Sequence, residues 1–507
     1  MQAQLDQQVE KIIDEGTGAK RSVIVRMAST DEEISILSGT ASEAIQKRKL
    51  VQSARDVLPL PFNNISLPPS GERSAYMQRK LRSVDQSVVA QVAALNQSDV
   101  TSDGLKASSL DNMKPLMKSN IVQTSISDSR RQKNDANVLW ISNSLVVELS
   151  KDNLAKLPDE VPGIEGIYPN RTLSLPPVSE AEQTPEAVEE NKTSAWGVEM
   201  VGALSAWGAY GARGSGVKIG LLDTGVDPEH PDLVGKVSDW AEFDRNGQEV
   251  ANSVPHDSDK HGTHCAGTIA GGNASGRWIG VAPEAELAVG LVLKRGRGTD
   301  AQILAGIQWA ANLGVDVISM SLGGVWFDPE VRDDYMNTFI SCSRLGIPVV
   351  VAIGNSGNQT TGTPGNDFFS FSVGATDFKD RNAGFSGGRT HVVTKSQIIP
   401  KKYLPLIYSK PDVSAPGVGV LSSIPNEDWK SFNGTSMATP HVAGAIALLL
   451  SATSISTNIK KSDRAYLIQD LLIGSVDELG ESGQDHRYGF GRINVLRAIG
   501  FAKDRGY

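Results

Sequence analysis

Phe432-Asn433-Gly434-Thr435-Ser436-Met437-Ala438-Thr439-Pro440-His441-Val442-Ala443-Gly444-Ala445 is the stretch whose reading decides the fold. A small turn at Asn433-Gly434 delivers Ser436 to the mouth of an apolar helix that runs on through Ala447-Leu448-Leu449-Leu450. The first turn of a helix leaves N–H groups unpaired and carries partial positive charge, so an oxygen nucleophile there is exposed and an oxyanion beside it is stabilised. Ser436 is therefore a candidate nucleophile. Taken alone, Thr435 or Ser436 reads equally well as an ordinary N-cap, and the choice rests on the rest of the chain.

Upstream, Val217-Lys218-Ile219-Gly220-Leu221-Leu222 has the pattern of a buried strand and ends in Asp223-Thr224-Gly225. Asp257-Ser258-Asp259-Lys260-His261-Gly262-Thr263-His264-Cys265-Ala266-Gly267 follows. A serine hydroxyl is a poor nucleophile until a histidine removes its proton, and that histidine needs a carboxylate to fix its tautomer and steady its positive charge. Asp223, His261 and Ser436 supply the three groups, in the chain order Asp, His, Ser. An Asp closing a buried strand is costly without a partner, and pairing with His261 removes that cost. His264 is expected to be structural, because one imidazole occupies the place beside Ser436.

With these motifs in hand, the chain resembles the subtilisin-like serine proteases. The resemblance is carried by Asp223-Thr224-Gly225, His261-Gly262-Thr263-His264, Ser321-Leu322-Gly323-Gly324, Ala352-Ile353-Gly354-Asn355 and Gly434-Thr435-Ser436-Met437-Ala438, and spans about 196 to 500. It implies a serine endopeptidase in which Ser436 attacks, His261 relays the proton, Asp223 orients His261, and Asn355 with the Ser436 N–H binds the oxyanion. It implies that Ser321, Leu322 and Gly323 on one side and Gly298 on the other hold the substrate backbone as an added strand. Gly323, Gly324, Gly354 and Gly362 would then wall the pocket before the scissile bond, with room for a large apolar side chain. Protein or peptide substrates follow, and no cofactor is required. Calcium binding, common in such proteins, would fall on Asp232 and the loop Gly272-Asn273-Ala274-Ser275-Gly276, a depleted ligand set because Ala274 lacks a side-chain oxygen.

The bulk numbers agree with a folded hydrolase. The 507 residues suggest two domains, 39% hydrophobic and 21% charged residues describe a globular protein, and a net charge of -9 gives no reason to expect nucleic acid. No membrane span is expected. The start, Met1-Gln2-Ala3-Gln4-Leu5-Asp6, has neither a basic region nor an apolar core of the secretory kind, so a cytoplasmic location is expected, or an exported one if the sequence is trimmed. Cys265 and Cys342 are too few for a disulfide framework. Cys265, four residues past His261, reads as a buried bystander or as a redox-sensitive contact.

From Trp196 onward, continuous apolar strands at Val217–Leu222, Leu287–Leu293, Val315–Ser321, Pro348–Ile353 and Phe371–Ala375 alternate with helices at Gly262–Ala270, Asp300–Leu313 and Glu330–Leu345. This alternation predicts an α/β domain over 196–507 with a doubly wound, mostly parallel sheet covered on both faces. Residues 1–178 read as a smaller α+β unit. Its expected parts are a first strand at Ser22–Met27, a polar helical stretch near Ser74–Leu95, and a loose Ser/Asp/Lys-rich segment. A strand or hairpin over Val138–Leu149, a short helix at Lys151–Leu157 and a closing strand at Gly163–Asn170 complete it. The run from about 138 to 175 resembles the end of a subtilase propeptide, which implies a zymogen inhibited by its own N-terminal domain and cut between about Leu175 and Ala195. The stretch from Pro176-Pro177 through Glu182, Pro185, Glu186, Glu189 and Glu190 is rich in Pro and Glu, and residues 179–195 read as an exposed linker. Arg389 to Ser409, with Lys395, Lys401, Lys402, Tyr403 and Tyr408, is an insertion that reads as a solvated ribbon or an exosite.

Two other functions remain open at this level. A sedolisin-type acid peptidase shares the fold but would carry Glu at the place of His261. A latent or regulatory binding protein would keep its N-terminal domain in the cleft.

Overall fold

The computed structural model describes residues 4–5, 9, 20–57, 102–130, 137–181, 192–329, 331 and 335–507. The expected helix near Ser74–Leu95 lies outside the described residues, as does part of Glu330–Leu345, of which Met336–Arg344 is helical.

Seven parallel strands build the large sheet in the order Val413–Pro416, Phe371–Thr376, Val349–Ala352, Val317–Met320, Lys218–Asp223, Glu286–Leu291, Val237–Glu242. The chain enters at Lys218–Asp223 and builds outward in both directions from it, which makes the carboxyl end of this strand a switch point. Asp223 sits there. The helices His261–Ala270 and Thr435–Ala452 lie on one face, and Asp300–Leu313 with Met336–Arg344 cover the other. Each face has its own apolar cluster, so the sheet is dry on both sides and its strands need not alternate.

Thr435–Ala452 is long and apolar enough by composition to cross a membrane, contrary to the sequence expectation that no segment qualifies, but 89% of that span is buried. It runs through the middle of the fold, and its all-round apolar surface is that of a core helix.

The N-terminal unit is a five-stranded sheet ordered Gln4–Leu5, Ile164–Pro169, Arg21–Met27, Ser144–Leu149, Asn137–Leu139. Among the described residues four α-helices accompany it: Lys151–Glu160, Asp31–Val57, Ser102–Lys118 and Asn120–Arg130. The last two replace the segment expected to be loose. Leu116 and Val122 are buried in the apolar cluster, and Ser119 caps the second helix through its hydroxyl, 3.4 Å from the Val122 N–H. Asp31–Val57, not expected from the sequence, starts in a reciprocal box. The Thr30 N–H donates to Glu33 Oε2 at 3.0 Å, and the Glu33 N–H to Thr30 Oγ1 at 3.2 Å.

The apolar cluster of this unit is continuous with that under Asp300–Leu313 and Met336–Arg344. Leu139, Trp140 and Ile141 belong to the same buried cluster as Ile303, Ile307 and Phe339. Gln308 fastens the seam, its Oε1 accepting from the Ile141 N–H at 3.4 Å and its Nε2 donating to the Val138 carbonyl at 3.2 Å.

Candidate active site

Asp223 Oδ1 lies 2.7 Å from His261 Nδ1, with both side chains buried. Burial opposes a charged imidazole, yet the Asp223 carboxylate and then Cys265 outweigh it and hold His261 well above its ordinary pKa of 6.5. Two further residues, not singled out by sequence, lock this pair. The Thr224 hydroxyl donates to Asp257 Oδ1 at 2.7 Å and accepts from the Gly262 N–H at 2.8 Å. Asp257 Oδ2 in turn accepts from the Thr263 N–H at 2.8 Å and its hydroxyl at 2.6 Å. The strand end that carries Asp223 and the helix start that carries His261 are thereby tied side by side. The signal was present in the chain as a second Asp four residues before His261.

Ser436 lies in the first turn of Thr435–Ala452 and is buried. Its Oγ donates to the Ser321 carbonyl at 3.4 Å, while His261 Nε2 is buried with no hydrogen bond among the described residues. The backbone of Ser436 has an unusual setting with a sequence cause. Pro440, four residues on, has no N–H to give the Ser436 carbonyl, so that oxygen is free for other donors. Ser321 Oγ takes it at 2.9 Å and Cys265 Sγ at 3.5 Å. The side chain of Ser321 thus holds the backbone of Ser436, and Leu322 is packed into the core. Cys265 also approaches His261 Nδ1 at 3.9 Å, and burial pushes its thiol pKa up.

Asn355 follows the Val349–Ala352 strand. Its Oδ1 accepts from the Thr435 N–H and the Thr435 hydroxyl, both at 2.8 Å, which fixes the amide so that Nδ2 points outward. That Nδ2 donates to the carbonyl of Pro177 at 2.9 Å. The segment from Thr172 to Ala181 lies along the whole cleft. Thr172–Ser174 pairs antiparallel with Arg297–Thr299, opposing Leu173 to Gly298, and the Leu175 N–H donates to the Gly296 carbonyl at 2.9 Å. Beyond Ser436, Ser179–Glu180 pairs with Phe432–Asn433 and the Ala181 N–H donates to the Ser431 carbonyl at 2.8 Å. Glu180 reaches Lys260 at 2.9 Å and Lys430 at 3.2 Å. The expected exposed linker over 179–195 therefore begins as a strand in the cleft, because Phe432–Asn433 offers an unpaired edge and Lys260 and Lys430 offer charge.

The glycines stand where backbone must come close. A Cβ at Gly298 would meet the Val292 carbonyl oxygen, and one at Gly324 would come 2.9 Å from Leu173 Cδ2. Gly354 has a φ of 105, and its neighbour Gly362 donates to the Ile353 carbonyl at 2.5 Å. Gly324 pairs with Thr363 and Val325 with Gly362, so Gly324, Gly354 and Gly362 line one flank together.

His264 stands apart from this chemistry. Its Nε2 lies 3.0 Å from the Val420 carbonyl and 3.1 Å from that of Lys430, its ring stacks on Phe432, and burial lowers its pKa to about 3. It joins a helix to a hairpin as a neutral ring.

The residues around Asp232 do not fit calcium. Its Oδ1 accepts from the Ala274 N–H at 2.6 Å and its Oδ2 from the Trp429 indole at 2.6 Å. Calcium needs six to eight oxygen ligands, and here the one carboxylate is committed to N–H donors. The Gly272–Gly276 loop is tied to the same residue by its backbone, the Gly272 N–H donating to the Asp232 carbonyl at 3.0 Å.

Comparison with known proteins gives the same answer as the geometry. The family model described as "Subtilase family" matches residues 214–491. The chain is 36% identical to Subtilisin NAT of Bacillus subtilis subsp. natto, over 64% of this chain and 76% of that protein. It is 38% identical to an intracellular serine protease of Paenibacillus polymyxa, over 50% of this chain and 72% of that protein. With thermitase of Thermoactinomyces vulgaris it shares 34% identity over 60% of this chain and 95% of that protein. A strand-end Asp bonded to a helix-start His, a Ser at the next helix mouth and an outward Asn amide fit this match, and the chain belongs to the subtilase family, a serine endopeptidase that needs no organic cofactor.

Proposed function

We propose that this endopeptidase is made as a zymogen whose N-terminal part, residues 1–178, is its own inhibitor, and that Asp223, His261, Ser436 and Asn355 are its catalytic residues. The observation that carries the reading is the placement of Thr172–Glu180. A strand of the chain itself lies in the cleft on both sides of Ser436, with the Pro177 carbonyl on the Asn355 amide. A peptide substrate held by the same edges would present its scissile carbonyl there.

Ser436 Oγ attacks that carbonyl, His261 takes the proton through Nε2, and Asp223 steadies the imidazolium. The oxyanion is received by Asn355 Nδ2 and the Ser436 N–H. His261 then protonates the leaving amine, and water, activated by the same imidazole, hydrolyses the acyl-enzyme. In the zymogen the Ser436 hydroxyl turns to the Ser321 carbonyl instead of His261, a resting geometry that tightens on productive binding.

The bond first cut is Pro177–Val178. Pro176 is buried and Pro177 is exposed, so the rigid ring at the scissile position leaves the glycine-walled pocket poorly filled and the cut is slow. Intact-mass measurement of the wild-type chain beside Ser436→Ala tests this. Wild type is expected to yield a fragment ending at Pro177 while the variant stays whole. Pro177→Phe is expected to shorten the time course by about 10-fold or more, as burying a large apolar side chain contributes about 1.5–3 kcal/mol. Equal cutting of wild type and Ser436→Ala would sink the autoprocessing.

A further inference from the structure

The inserted segment has a definite structure, and it touches the N-terminal unit far along the chain from the cleft tail. Arg389–Val393 and Leu406–Lys410 form an antiparallel ribbon, and His391, Val393, Leu406, Tyr408 and Lys410 on it are buried. The Asp31–Val57 helix lies against this region. Leu37, Ala41, Ala44 and Ile45 are its buried face, at helical spacing. Ser38 Oγ donates to the Ile398 carbonyl at 2.7 Å, and Gln46 Nε2 to the Tyr403 hydroxyl at 2.7 Å.

One turn further, Arg48 enters the catalytic part. Its Nη1 donates to the Phe368 carbonyl at 3.1 Å, its guanidinium carbon lies 4.8 Å over the Phe368 ring, and its Nη2 meets Asp412 Oδ1. Asp412 is fully buried. Its Oδ2 is already served by Lys410 Nζ at 2.8 Å and the Ser372 N–H at 2.7 Å. Among the described residues its Oδ1 has no hydrogen bond from the catalytic part, and Arg48 is what answers it. A buried carboxylate oxygen left without a partner is expensive. An aromatic face, a carbonyl and a carboxylate together suit a flat guanidinium, which stacks and donates in its plane, better than an ammonium.

We propose that this socket, formed by Phe368, Asp412 and the 389–410 ribbon, is a second docking site for the chain's own Asp31–Val57 helix, one that holds the severed N-terminal part on the enzyme after the cleft tail is cut. The proposal rests on the zymogen reading above. Scission at the tail changes nothing in the socket. The Arg48 socket therefore lengthens the time for which the two fragments stay together after the cut.

The test uses the full chain carrying Ser436→Ala, nicked within 182–191 by a glutamate-specific protease at Glu182, Glu186, Glu189 or Glu190. Size-exclusion chromatography is expected to show both fragments eluting together. In Arg48→Met and in Arg48→Lys they are expected to separate at least 10-fold faster. If Arg48→Met does not fold, Ser38→Ala with Gln46→Ala removes only the two contacts to the insertion and is expected to accelerate separation in the same direction. Separation of the parent fragments on nicking, or variants that hold as long as the parent, would overturn the socket. The same nicking of the chain with Ser436 intact, in the presence of a fluorophosphonate probe, separates this from the inhibitor reading. Assembled chains that label at once leave the socket standing and refute the inhibitor, whereas chains that label only as the fragments part support both.

Discussion

At the scale of single residues, the site works through atoms that are held twice. Asn355 gives its oxygen to Thr435 so that its nitrogen faces the cleft, and Ser321 holds the carbonyl of Ser436 that Pro440 leaves without a helix donor. On the proposed oxyanion role, Asn355→Ala is expected to lower kcat by about 10²–10³ with little change in KM; a rise in KM alone would contradict it. The His261 shift gives a pH dependence with a definite sign. Burial opposes the charge, but the raising interactions, led by the Asp223 carboxylate, together outweigh it and hold the pKa well above 6.5, so His261 is protonated and unable to accept the Ser436 proton below that pKa. The kcat/KM of the activated enzyme is expected to rise with pH along a limb above 6.5. Asp223→Asn is expected to move the limb down and cut the rate by about 10⁴. A parent limb at or below 6.5 would remove the argument.

At the scale of elements, Arg297–Thr299 and the helix that follows act as one piece. Thr299 both ends the strand that pairs with Thr172–Ser174 and caps Asp300–Leu313, its hydroxyl accepting from the Gln302 N–H at 3.2 Å while Gln302 Oε1 accepts from the Thr299 N–H at 3.0 Å. Thr299→Ala is expected to destabilise the fold by about 1 kcal/mol in chemical denaturation, the usual worth of a cap. It should also loosen the edge strand, read as a higher KM for peptides that reach it. The chain revealed these elements unevenly. Asp300–Leu313 is read from sequence with its bounds intact, since Ile303, Leu304, Ile307 and Ala310 repeat at helical spacing on a buried face. Val237–Glu242 and Val413–Pro416 escape, because they are the two edges of the sheet, where Asp239 and Pro416 are tolerated and the continuous apolar pattern breaks down. Asp31–Val57 escapes for another reason. Its few apolar positions answer a surface made by Met336–Arg344 and Lys461–Gly474, which no local pattern announces. Among site residues, Asp223, His261, Ser436 and Asn355 stand at element ends marked by glycine and strand signals. Asp257 and Thr435 do their work through hydrogen bonds to other segments, and those appear only when the chain is folded.

At the scale of the whole molecule, the N-terminal sheet and the catalytic sheet share an apolar cluster across Asp300–Leu313 and Met336–Arg344. A chain beginning at Lys192 leaves Ile303, Ile307 and Phe339 without the cover of Leu139 and Ile141. Relative to full-length Ser436→Ala, it is expected to melt several degrees lower and to bind a hydrophobic dye. An equal melting temperature without dye binding would show that the shared cluster is dispensable.

The pairing of Ser179–Glu180 with Phe432–Asn433 has a consequence for kinetics. After scission at Pro177–Val178 this short strand is the new amino terminus of the catalytic part, joined through 182–191 to Ser194, which bridges to Trp278. It remains a tethered competitor for the leaving-group side of the cleft, at the millimolar effective concentration that a short connection gives. Freshly cut enzyme should therefore show a raised apparent KM for substrates that extend past the scissile bond and an ordinary one for substrates that end at it. Trimming back toward Lys192 would erase the difference.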